Sequence, residues 1–120
     1  MARVTIPVHE MDKMNEAYAF EISDAGVIDT AEGAEIDYSA RDDKMVVIMT
    51  NSGGSAAKVT VKAGNGIQGV NDLEIEVQPD ASAVLTLESG RFKNVSGPDK
   101  GKVIMTSDAD GVGVMAFKLP

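Results

Sequence analysis

The stretch from Lys44 to Gly69, KMVVIMTNSGGSAAKVTVKAGNGIQG, constrains the fold more than any other part of the chain. It opens with the longest unbroken apolar run, Met45 to Met49, passes through a cluster of Gly and Ser, and continues as an alternating run from Ala57 to Ala63. Two apolar-periodic runs around such a cluster predict a β-hairpin. Met45 to Met49 has apolar side chains on both faces of the pleat, so it must be buried on both sides or covered by a neighbouring element. In the second run Val59 and Val61 share one face while Lys58, Thr60 and Lys62 share the other, as in a strand with one wet side.

Strands and turns continue to the end. Asp72 to Val77 alternates, with Leu73, Ile75 and Val77 inward. Pro79-Asp80 turns the chain, and Ala83, Leu85 and Leu87 line the next inner face. Arg91 to Val95 is irregular, Ser96-Gly97-Pro98-Asp99 is a turn, and Lys102 to Thr106 with Val112 to Leu119 predicts a last hairpin around Asp108-Ala109-Asp110-Gly111. Upstream, the Asp29 to Gly33 turn precedes a short alternating strand, Ala34 to Tyr38. A parallel sheet needs crossovers of about a dozen residues, for which the second half has no room. The expected fold is all-β, an antiparallel β-sandwich or small barrel of about eight short strands, immunoglobulin-like or jelly-roll-like.

The start of the chain reads differently. Arg3 to Val8 is β-rich, but Pro7 cannot donate to a ladder, which makes this segment an edge strand or an arm. From His9 to Ile22 two patterns compete. Met11, Met14 and Tyr18 have helical spacing, whereas Tyr18, Phe20 and Ile22 alternate as in a strand. Residues 1–28 are therefore expected to form an N-terminal arm and a mixed segment packed on a single β domain, residues 29–120.

With 120 residues, 43% of them hydrophobic, the chain can bury one core without covalent staples. It has no cysteine, so neither a disulfide framework nor a thiolate metal site is available. No apolar run approaches the roughly 18 residues that span a bilayer, and no basic start with an apolar segment marks secretion. These features predict a soluble protein made in the cytoplasm, with no membrane partner. The net charge of −8 argues against nucleic acid, whose binding draws on clustered Lys and Arg. The excess is local. Residues 1–43 hold eleven acids and three bases, and residues 44–120 hold eight of each. That pattern fits a solvated face or a surface meeting a basic partner.

Motifs for chemistry are weak. Gly64-Asn65-Gly66-Ile67-Gln68-Gly69 matches the dinucleotide fingerprint, but the next element is a strand and not the helix that receives a pyrophosphate. The glycines instead predict a loop with positive φ, Gly66 included, that brings the backbone close to a neighbour. His9 lacks a base, nucleophile or metal partner in sequence and is expected to be an exposed residue of the arm. Asp108 to Gly111 resembles the start of a calcium loop without its closing Glu, and a turn explains it better. Arg91, Lys93, Lys100 and Lys102 form a modest basic cluster around a Gly-Pro turn. No enzymatic activity, cofactor or metal is expected.

Three pieces in this order carry a resemblance: Asp29-Thr30-Ala31-Glu32-Gly33, then VVIMTNSGGSAAKVTVKAGNG ending at Gly66, then ESGRFKN from Glu88 to Asn94 followed by Lys100-Gly101-Lys102-Val103. Together they resemble small β-rich virion proteins of tailed bacteriophages, the head decoration and related minor capsid proteins. The resemblance implies a protein that attaches from outside to an assembled capsid and strengthens it. It also implies the major capsid protein lattice as partner, a place on the outer surface of the virion, synthesis in the host bacterial cytoplasm, and possible self-association as a trimer. It brings no catalytic motif to map. Interface candidates come from the chain itself: Arg3, Val4, Thr5, Ile6 and Val8 in the arm, placed for strand addition to capsid backbone, and Arg91 and Lys93 in the basic cluster. The alternative is an immunoglobulin-like adhesion or tail-associated module that binds a host surface glycan or protein, for which an exposed aromatic platform is expected.

Overall fold

In the computed structural model, which describes residues 3–120, the chain is an all-β sandwich. The strands are β1 (Val4–Thr5), β2 (Val8–Glu10), β3 (Gly26–Val27), β4 (Ala34–Asp37), β5 (Met45–Asn51), β6 (Ala57–Val61), β7 (Leu73–Val77), β8 (Ser82–Leu85), β9 (Lys102–Ser107) and β10 (Val112–Lys118). The first sheet runs β1-β4-β9-β6-β7, and the second runs β2-β10-β5-β8 with β3 also on β10. Alternation dictates the core. Met45, Val47 and Met49 of β5 and Val112, Val114 and Ala116 of β10 face Ile36, Val59, Val61, Val103 and Met105 of the other sheet, and all are buried.

Both expected hairpins are corrected. β5 and β6 lie in different sheets, as do β9 and β10, so each turn cluster carries the chain across the sandwich. A period of two says which side chains face inward but not which strand is the neighbour, so the same pattern serves a hairpin or an arch. Asn51 shapes the first arch. It is 2% exposed; its Nδ2 donates to the carbonyls of Ser55 (2.9 Å) and Val77 (3.0 Å), and its Oδ1 accepts from Gly53 N–H at 2.9 Å.

Of the two readings of the first segment, the edge strand holds and the free arm is corrected. Val4–Thr5 pairs in parallel with β4, and Val8–Glu10 pairs in parallel with β10. The chain changes sheet at Pro7, and Ile6 between the two is 2% exposed. Residues 3–10 therefore close one side of the sandwich, which raises the strand number from about eight to ten and adds two parallel pairs. Met11 to Glu21 is neither helix nor strand. It crosses the outer face of the second sheet, where Met115 and Phe117 alternate with core residues yet are 0% and 5% exposed. The rings of Tyr18 and Phe20 sit 5.9 and 4.9 Å from that of Phe117. This cover explains how β5 and β10 can be apolar on both faces.

Candidate attachment surface

One end of the sandwich is built from the Lys62–Asp72 connection, a single helical turn at Ser89–Phe92 (α1) and the loop from Lys93 to Gly101. α1 works as a two-sided peg. Phe92 is buried in the core, and the Arg91 guanidinium lies 5.6 Å above its ring. Asp42 anchors the start of α1 by accepting from Ser89 N–H at 3.0 Å. Asn65 ties the glycine loop to the basic loop, donating to Ser96 C=O (2.9 Å) and accepting from Val95 N–H (2.7 Å). Asn94 holds the base of that loop through the Lys102 carbonyl, at 3.0 Å from its backbone and 3.1 Å from its side chain.

The glycine fingerprint is explained by close approach, not by positive φ. None of Gly64, Gly66 and Gly69 lies in the left-handed region. A Cβ on Gly64 would strike the Lys93 carbonyl and one on Gly69 would strike Gly64, while one on Gly66 would make ordinary 3.7 Å contacts with Val95 and Gly90. This packing presents Ile67 fully to solvent at 101% exposure, beside exposed Val70 and Val95. Next to them Ser89, Gly90, Lys93, Asn94, Val95, Lys100 and Gly101 line an open groove of about 390 Å³. Lys93, half-buried, lines that groove, whereas Arg91 is exposed over the Phe92 ring and lies outside its lining. Sequence reasoning missed Ile67 and Val70. The available signal was a lone apolar residue in a glycine-rich loop without periodic neighbours.

The N-terminal candidates are occupied, and Arg3 reaches this end through Asp99 of its loop. The Arg3 fork grips Asp99 with two contacts of 3.0 Å and reaches Glu35 at 3.3 Å, and Lys102 meets Glu35 at 2.6 Å. This pairing raises the Arg3 pKa and holds the Asp99 carboxyl below its ordinary range. Val4 and Val8 are in ladders, Ile6 is in the core, and Thr5 alone is exposed. His9 is not an exposed arm residue either. Its ring lies 5.2 Å from Phe117, its Nδ1 is 3.1 Å from Tyr18 Oη, and its Nε2 is buried without a partner among the described residues.

Asp108 ties the turn to β6 by accepting from Lys58 N–H at 2.8 Å, Asp110 accepts from Thr30 Oγ1 at 3.5 Å, and Gly111 has a φ of +87°. Among the described residues no group of His, Asp and Glu is arranged to hold a metal. On the outer face of the second sheet, Met11, Tyr18, Phe20, Val46, Ile48 and Leu119 line most of an apolar groove of about 300 Å³. Comparison with family models, curated proteins and solved structures finds no match.

Proposed function

We propose that this chain is a virion structural protein that attaches to the outside of an assembled phage capsid and stabilises it, and that the α1 end of the sandwich is its contact surface. The observation that carries this reading is the convergence of the glycine loop, the ESGRFKN stretch and Lys100-Gly101-Lys102, pieces on which the resemblance rests, at that end. They offer a partner the exposed side chains of Ile67, Val70 and Val95 beside Arg91, Lys93 and Lys100, on a chain whose net charge is −8. An apolar tip with a cationic rim suits an acidic protein surface with an apolar notch. Many identical weak contacts that exist only on the assembled shell stabilise it by mass action.

Co-sedimentation with empty, expanded capsids of the source phage, with unexpanded procapsids as control, tests the reading. Saturable binding to expanded shells is expected, and Ile67→Asp with Arg91→Glu should abolish it while leaving the fold intact. Absence of binding to either shell would overturn the proposal.

A second reading has one observation in its favour. Tyr18 and Phe20, 37% and 41% exposed, flank the apolar groove on the second sheet, the kind of aromatic platform on which an adhesion module binds a host glycan or protein. Binding to host cells that is lost in Tyr18→Ala and unaffected by Ile67→Asp would favour it.

A further inference from the structure

Among the described residues five strands lie at sheet margins, and four carry the features by which proteins keep an edge from pairing. β1 and β3 are two residues long; β2 follows Pro7 and ends in Glu10, which meets Lys118 at 3.4 Å; β7 carries outward Glu74 and Glu76. β8, Ser82-Ala83-Val84-Leu85, has no charge, proline or glycine, and its Val84 is 69% exposed.

The phase of the ladder determines what this edge offers. Asn51 N–H donates to Ala81 C=O at 3.0 Å, and Ser52 N–H donates the opposite way, to Gly111 C=O at 3.1 Å. Hydrogen-bonded pairs recur at every second residue, so Val47 and Met49 bond to Leu85 and Ala83, while Val46 and Ile48 bond to β10. The amides and carbonyls of Ser82 and Val84 therefore point away from the sheet, with no strand beyond them among the described residues.

We infer that the free edge of β8 accepts an extended polypeptide segment by strand addition, with an apolar residue opposite Val84 and Lys or Arg at both ends. Two observations define that occupant. Met115, Ile48 and Val84 form an apolar row across the outer face of the second sheet, and the row stops at Val84, where an added strand would continue it. Exposed Asp80 and Glu88 flank the uncharged strand, and among the described residues neither has an ion partner. They ask for cations at the two ends of the incoming segment. A second copy fits poorly. Antiparallel pairing centred on Val84 would set Asp80 of one copy beside Glu88 of the other, between molecules of net charge −8. The inference concerns the edge alone and stands whether or not the chain attaches to a capsid.

The test is an NMR titration of the full chain with a synthetic peptide of about nine residues, long enough to span Asp80 to Glu88, with alternating Thr and Val between terminal Lys residues. A peptide with terminal Glu is the control. Amide shifts should appear at Ser82, Val84 and Thr86, with at least about tenfold weaker binding of the Glu peptide. Val84→Pro should keep the fold, because that N–H holds no ladder bond, and should abolish binding, whereas Val84→Thr should retain it. If Val84→Pro does not fold, Val84→Lys provides the same test by placing a cation where the basic peptide docks. The inference is overturned by shifts that leave β8 untouched, by equal binding of the two peptides, or by unchanged binding to the folded Val84 variant. It is also overturned if the same amides shift with protein concentration alone, which would assign the edge to a second copy.

Discussion

At the scale of single residues, neighbours on one strand have opposite environments. Val47 is wholly buried, whereas the adjacent Ile48 faces outward and lines the apolar groove. Val47→Asp should unfold the domain, since an unpaired buried charge competes with a total stability of about 5–15 kcal/mol. Ile48→Asp should cost about 1–2 kcal/mol and leave a folded protein. Urea denaturation of both variants checks this, and it separates two positions that the unbroken apolar run made look alike. Tyr38 is buried, and its Oη donates to Leu87 C=O at 3.1 Å, linking the end of β4 to the chain beyond β8. Burial pushes its phenol pKa up, so the hydroxyl stays a donor across the neutral range. Tyr38→Phe leaves the Leu87 carbonyl unpaired and should lower stability by about 1–2 kcal/mol, read from the urea midpoint at unchanged slope.

At the scale of elements, the N-terminal strands are locked by charge as well as by ladders. The Arg3 fork on Asp99 ties β1 to the loop before β9. The folded state holds the Asp99 carboxyl below the ordinary aspartate value of about 3.9, so the unfolded chain binds that proton more readily. The stabilisation is complete above the ordinary value and drains away as pH falls through the depressed one. Thermal melts of the wild type and Asp99→Asn, from neutral pH down to about pH 2, should differ at the neutral end and converge at the acid end. A constant gap would show that Asp99 acts through packing instead. The glycine loop is an element of another kind, in which Gly64 and Gly69 leave no room for a Cβ and Gly66 does. The letters G-x-G-x-x-G were legible in the sequence, but the reason for them was not, because backbone approach between loops distant in sequence leaves no local signature.

At the scale of the whole molecule, the sandwich is held together from both ends of the chain. β2 pairs with β10, and β1 pairs with β4. Deleting residues 3–10 should therefore lower the melting temperature sharply and expose the apolar groups that Ile6 and His9 cover, where a free arm would have left melting unchanged; calorimetry distinguishes the two. The sequence by itself determined the class of fold, the inward side chains of β4 to β10 and the turn positions, because period-two alternation and Gly, Pro and Asp chemistry are local physics. It also placed Arg91 and Lys93 at one end of the molecule, since a single residue separates them, but not which way either side chain points. Only the tertiary structure decided that the apparent hairpins are arches, that residues 3–10 are integral strands, that Ile67 stands at the tip of the loop cluster, and that β8 is the unguarded edge. Those outcomes depend on which strands become neighbours across tens of residues, a choice made by the burial of the whole core and not by the pattern of any one segment.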